Sequence, residues 1–338
     1  MLKPGLIFEK HLLAFKVYTG QRMAVPSMGR MAGSARPQPL ASGDMQLDIF
    51  EHSRDLMLRN DVLGALEQRD AAAARCAWRK LLAEYPHDKT LPALERLVLT
   101  LERADSAPIT DHTTAAEAQR ALRGEIEAAA RQLWGDRDAA AWLAPLWCQL
   151  GQRAARLAFR AERTDDHAVP MFLKGGDFES AAAAVQQIES WRRIPAPLAW
   201  MAEARMRLEG LDASWCLLAE LAWLAPARFD ALTRRLHDPV LTRLRGQFDA
   251  EFDAAPDANA TCDDLAWFPA WLLTEKPALA ASLGRALPGL QSTPERAMRL
   301  LLDMLHLERQ GRQRELIAQR KVLRDLQPAL YAAYMKSR

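Results

Sequence analysis

Gly176-Asp177-Phe178-Glu179-Ser180-Ala181 and, 34 residues later, Gly210-Leu211-Asp212-Ala213-Ser214-Trp215 each open a turn followed by a helix. The second unit runs on through Leu217, Leu218, Leu221 and Leu224 to Pro226. A step of about 34 residues is the period of a helix-turn-helix unit that cannot bury its own apolar face and must stack on neighbours. Gly176, Asp177, Ala181, Gly210 and Pro226 are therefore the structural markers of this pair. The whole chain agrees with a helical reading. Its 338 residues are 49% hydrophobic and 26% charged, a globular balance. Alanine and leucine dominate, β-branched residues are sparse, and no alternating Val/Ile/Thr run of strand length occurs. An all-α fold is expected.

Reading outward, the markers recur at wider intervals. Arg69, Ala74 and Pro86 stand at steps of five and 17; Gly311, Leu316 and Pro328 repeat those steps. In the central pair Pro195 comes two residues late, and Gly210 to Pro226 is 16 with Trp215 at the small-residue place. A turn residue, an Ala five positions on and a Pro 17 positions on resemble the second half of a tetratricopeptide repeat. The resemblance covers four half-units over about half the chain. It implies an irregular, tetratricopeptide-like α-solenoid of stacked helical hairpins and, by association, a role in protein–protein interaction. Members that grip a C-terminal carboxylate use Asn and Lys largely, whereas this chain holds only Asn60, Asn259 and nine lysines. That subclass is disfavoured.

The expected segments are 1–44, a disordered extension or a mis-assigned start; 45–108, an N-terminal helical repeat; 115–162, a helical hairpin; 171–258, the central pair and a cap; and 261–338, a C-terminal helical segment. A linker is expected over 102–114, with Thr114 and Glu117 at capping-box spacing. Gly135-Asp136-Arg137-Asp138 should break a helix, and Arg163 to Pro170 should separate two segments. A helix is expected from Thr261, with Pro269 kinking it or ending a short first turn. Ser292-Thr293-Pro294-Glu295 is a strong start signal.

The net charge of +2 hides an asymmetry. Residues 1–44 carry Lys3, Lys10, Lys16, Arg22, Arg30 and Arg36 against Glu9 and Asp44, which leaves the remainder at −2. A slightly acidic body argues against direct nucleic-acid binding. No run of 18 apolar residues exists, so no membrane span is expected. Arginine outnumbers lysine 36 to 9, which suits a high-GC bacterial gene, and Met23, Met28, Met31 and Met45 are alternative starts. Cys76, Cys148, Cys216 and Cys262 form no Cys-x-x-Cys and are expected to be buried, reduced thiols of a cytoplasmic protein.

The residues point to no reaction. Seven scattered histidines give no metal-ligand spacing, and no P-loop or Gly-x-Ser-x-Gly occurs. No catalytic residue, metal or cofactor is expected. The ten tryptophans read as wedges between helices. Trp191 with Arg192 and Arg193 is the one grouping in which an aromatic has basic neighbours as a ligand platform would. One motif carries a specific expectation. Gln46-Leu47-Asp48-Ile49-Phe50 resembles the pentapeptide by which bacterial proteins dock on the DNA sliding clamp. In that mode an extended segment buries its apolar anchors in pockets. The competing reading packs Leu47, Ile49 and Phe50 on the first helix pair. The functional expectation is a non-catalytic protein-interaction scaffold that docks on the clamp through Gln46–Phe50. The alternative is an enzyme or ligand-binding protein with a pocket between helices that spacing does not reveal.

Overall fold

The computed structural model describes residues 42–103, 106–252, 262–289 and 291–338; for residues 42–53, 262 and 263 it describes the backbone alone. The expectation for 1–44 lies almost wholly outside the described residues. The protein is all-α: every regular element described is a helix, and no strand occurs among the described residues. In chain order the helices are α1 Ser42–Glu67, α2 Ala71–Glu84, α3 Leu91–Glu102, α4 His112–Ala121, α5 Glu127–Ala154, α6 Ala168–Gly175, α7 Phe178–Gln186 and α8 Pro195–Glu209. There follow α9 Leu211–Leu224, α10 Pro226–Leu236, α11 Pro239–Glu251, α12 Phe268–Glu275, α13 Ala280–Leu283, α14 Thr293–Arg309, α15 Gln313–Leu326 and α16 Pro328–Lys336. The described residues divide between two units at Glu51 and His52. The described part of the first is the opening of α1. The second contains the rest of the described fold, and the expected segment boundaries near 108–115 and 162–171 lie inside it.

The helix junctions follow a common design. Arg69, Gly176, Gly210 and Gly311 each separate two helices, and all four have positive φ, between 57° and 86°. At three of them the chain closes the preceding helix with the same bond, from the residue after the turn back to the carbonyl five positions earlier. Asp70 N–H donates to Ala65 O at 3.0 Å, Asp177 N–H to Phe172 O at 3.0 Å and Arg312 N–H to Leu307 O at 3.1 Å. This is the left-handed termination that satisfies the last carbonyls of a helix. Asp70 and Asp177 then turn round and cap the next helix, accepting from Ala73 N at 2.9 Å and Ser180 N at 3.0 Å. Five residues past each turn, Ala74, Ala181, Trp215 and Leu316 are buried. Pro195, Pro226 and Pro328 each open a helix, where a missing N–H costs no bond. Arg69 tolerates the left-handed conformation without being glycine. Its guanidinium donates to Trp142 O and lies 5.3 Å from the centre of the Trp142 ring.

Gly175 has a different role from its neighbour. A Cβ there would meet Cys148 Sγ and, at 2.9 Å, both Ala144 O and Cys148 N. Two of those atoms belong to the backbone of α5, which cannot step aside. Helices α5 and α6 therefore cross with a glycine at the contact. Gly175→Ala is expected to cost about 1–3 kcal/mol through overpacking, read as a fall in the urea midpoint at unchanged slope. A variant as stable as the parent would show that α5 and α6 do not approach this closely.

From α5 to α11 each helix packs on its chain neighbours. The C-terminal part closes differently. Every residue of α12 from Phe268 to Thr274 is buried. It packs against α9, α11, α14 and α16 together, so it is enclosed on all sides. Six tryptophans, Trp142, Trp147, Trp200, Trp215, Trp223 and Trp271, are buried. Trp78, Trp134, Trp191 and Trp267 pack against the core from its edge.

Several local expectations need correcting. Helix α1 begins at Ser42 and takes in Gln46–Phe50, which the clamp-docking reading expects to be extended. Helix α4 starts a turn early because Asp111, not Thr114, is its cap, accepting from Thr114 N at 2.8 Å. The helix expected from Thr261 begins at Phe268, after a 3₁₀ turn over Cys262–Trp267, with Pro269 in its first turn. Among the three cysteines whose side chains are described, Cys76 is exposed, Cys148 half-buried and Cys216 buried as expected, and all three thiols are free. The break at Gly135 is present as a kink with φ 74° and ψ 177° inside α5. Among the described residues no helix is long and apolar enough to cross a membrane.

Candidate functional site

A pocket of about 90 Å³ lies where the 3₁₀ turn Trp191–Arg193, the C-terminal half of α9 and the loop after α13 meet. Each wall follows from local sequence. Ile194-Pro195 stops the 3₁₀ turn and starts α8, so Arg192 and Arg193 are held just outside a helix. Helix α9 is apolar on nearly all sides and buried over Ser214–Trp223. Its one buried acid, Glu220, has to find partners inside the protein. It takes the N–H of Leu287 at 2.8 Å on one oxygen and lies 3.2 Å from Arg192 Nε on the other. Burial raises the Glu220 carboxyl above the ordinary range, while the Leu287 N–H and the nearby arginines Arg192, Arg193 and Arg299 oppose this.

The loop is fixed from its other end by α14. Ser292 caps that helix, accepting from Glu295 N at 3.4 Å. The Glu295 carboxylate, 1% exposed, reaches back to accept from Gly289 N and Gln291 N, each at 2.8 Å. Arg299 pairs with Glu295 at 3.1 Å and lies 5.8 Å from the centre of the Trp223 ring. Two donors of the pocket's lining residues lack a hydrogen bond. Trp223 Nε1 and Arg192 Nε are buried and make no hydrogen bond among the described residues; the 3.2 Å approach of Arg192 to Glu220 is an ion pair without hydrogen-bond alignment. Arg193 is exposed and forms no salt bridge among the described residues. Leu224 and Leu287 supply the apolar remainder of the wall. Chemically this is a site that can receive hydrogen-bond acceptors beside an apolar surface.

A second cleft, about 340 Å³, opens on the far side of Arg192 toward Trp191, Arg205 and Cys216. Arg205 is already paired with Glu209 there. A buried imidazole lies elsewhere. His167 stacks on Trp200 with ring centres 5.7 Å apart, meets Phe159 edge-on at 5.9 Å, and caps α6 by accepting from Val169 N at 3.3 Å. Burial and then the neighbouring His112 lower its pKa to about 4. No group of three or more His, Cys, Asp or Glu side chains converges as a metal site would among the described residues.

The residues marked in the sequence are not gathered into this pocket. Gly176, Asp177 and Gly210 are junction residues, Ala181 is buried in α7 and Pro226 opens α10. Gln46, Leu47, Asp48, Ile49 and Phe50 fall in α1, and their side chains lie outside the described residues. Arg192 and Arg193 were legible as a basic pair beside Trp191. Glu220, Trp223, Leu287 and Gly289 were not, because each looks like an ordinary helix or loop residue until the fold brings them together. One signal was available: an acid flanked by Ala219 and Leu221 on an all-apolar helix has to be paired. Comparison with protein-family models, curated proteins and solved structures finds no match to this chain.

Proposed function

We propose that the chain is a non-catalytic protein-interaction scaffold. The observation that supports this most is the packing of consecutive helices from α5 to α11, each on its chain neighbours. Stacked hairpins of this kind, as in tetratricopeptide-like solenoids, lay helix faces side by side for a partner. The sharper form of the reading is a bacterial, cytoplasmic accessory of the DNA sliding clamp, docking through Gln46-Leu47-Asp48-Ile49-Phe50. Docking in an extended form requires the opening turns of α1 to unwind. In a pull-down with purified clamp, the parent chain is expected to be retained. Gln46→Ala combined with Phe50→Ala is expected to weaken retention at least about tenfold, because a few anchors carry such interfaces. Equal retention of the two proteins would sink the clamp reading and leave the scaffold without this partner.

The pocket at Arg192, Glu220 and Trp223 favours a second reading, in which the protein holds a ligand between its helices. Pockets with a few polar groups on a largely apolar wall are the usual form of ligand sites.

A further inference from the structure

We propose that the pocket bounded by Arg192, Arg193, Glu220, Trp223 and Leu287 binds a small organic monocarboxylate with a short apolar tail. This deepens the ligand-binding reading and rests on it. It is independent of the clamp.

The argument begins with the unused donors. Trp223 is 6% exposed and its Nε1–H has no acceptor among the described residues; Arg192 Nε, also buried, lies 3.2 Å from Glu220 without hydrogen-bond alignment. A buried N–H left without a partner costs about 1–3 kcal/mol. An acceptor placed in the pocket removes that penalty, and a carboxylate brings two oxygens for two donors. Charge sets the next constraint. Arg192 and Arg193 face a single acid, Glu220, and Arg299 is held by Glu295. The wall thus carries one excess positive charge, which matches a monoanion. Glu220 disfavours a multiply charged anion such as phosphate by like-charge repulsion at close range.

Size and surface complete the description. The pocket, about 90 Å³, is several times what one water needs, about 10–15 Å³, and too small for a bulky ligand. Trp223, Leu224 and Leu287 present the apolar surface against which a tail packs. Leu287 is 44% exposed at the mouth, so a tail that covers it also removes apolar area from water.

The test uses the full chain labelled with ¹⁵N. The Trp223 indole N–H resonance is assigned by its disappearance in Trp223→Phe. The probes are sodium isovalerate, its neutral isostere 3-methylbutanamide, inorganic phosphate, and an acetylated tripeptide ending in leucine. Isovalerate is expected to shift the Trp223 resonance saturably, and the amide to bind at least about tenfold more weakly, because charge-assisted bonds are the stronger ones. Arg192→Gln should weaken isovalerate by a similar factor, whereas Arg205→Gln in the neighbouring cleft should leave it unchanged. Arg192→Gln also removes the ion pair of Glu220 and can unfold the protein. Arg193→Gln, at the exposed mouth, is the second variant and is expected to weaken binding about threefold or more.

The proposal fails if isovalerate leaves Trp223 unmoved, or if the amide binds as tightly as the acid. A shift with phosphate or the peptide but not with isovalerate also overturns it, while leaving a ligand pocket in place. Silence from every probe overturns both the carboxylate and the ligand-binding reading.

Discussion

On acidification from pH 7 to pH 4 the protein is expected to lose about 3 kcal/mol of folding stability through His167 alone, at 1.36 kcal/mol for each pKa unit. The imidazole pKa falls from the ordinary 6.5 to about 4 in the fold, because burial first and His112 second disfavour its charged form. Between those two values the unfolded chain binds a proton that the native protein does not. Stability is therefore fully present above about pH 6.5 and drains away as the pH falls toward 4. Protonation also removes the lone pair with which Nδ1 caps α6 at Val169 N. The control is His167→Asn, which keeps a capping acceptor and does not titrate. Urea unfolding at a series of pH values should show the parent losing about 3 kcal/mol more than the variant over this window. Parallel curves for the two proteins would refute the assignment. Asp88 and Asp230 do not confuse the comparison. Burial raises both, but hydrogen bonds from Thr90 and Arg59, and from Arg234 and Arg245, outweigh it and hold both below the ordinary carboxylate range. Their contribution is lost only as the pH falls further.

Trp271→Ala is expected to be the most damaging single truncation, at about 3–5 kcal/mol. Trp271 is 1% exposed at the middle of α12. Its ring lies 5.4 Å from Phe248, edge-on, and 5.9 Å from Phe268. Phe268 in turn meets Phe229 at 5.4 Å. Removing the indole leaves a cavity bordered by rings from α11 and α12, and rings of that size cannot collapse into it. A loss of this size is a large share of the stability of a typical domain, about 5–15 kcal/mol. Trp78, partly buried at the edge of the core, gives the contrast: Trp78→Ala should cost clearly less. Equilibrium unfolding of the two variants checks this, and a Trp271→Ala cost below that of Trp78→Ala would contradict the enclosed position of α12.

The helical class and the junctions were legible because their causes are local. A glycine followed by a capping Asp, with a helix directly after it and a small apolar residue five positions on, needs no distant partner to form, and this turn can be read at Gly176 without a structure. Arg69 was legible as a marker by spacing alone; why an arginine can hold φ 57° there depends on Trp142, which is 73 residues away. Helix starts went wrong where two capping patterns overlapped. Asp111 and Thr114 both offer oxygens three residues before a backbone N–H, and the carboxylate took the position. The closure of the C-terminal part was not legible. Nothing in Phe268-Pro269-Ala270-Trp271 distinguishes a helix covered on one face from one surrounded by four others. The pocket was hidden for a related reason: Arg192, Glu220 and Leu287 are separated by 28 and 67 residues.

Two carboxylates from two different helices grip the loop beside the pocket, Glu220 at Leu287 and Glu295 at Gly289 and Gln291. The loop's conformational entropy is therefore surrendered during folding, before any ligand arrives. A visiting molecule would meet a preorganised lip, and its association would carry little ordering penalty from the protein side. The same feature ties recognition to integrity. Loosening the first turn of α14 would release Glu295, free the loop and raise the entropic cost of binding, without altering a single residue that lines the pocket.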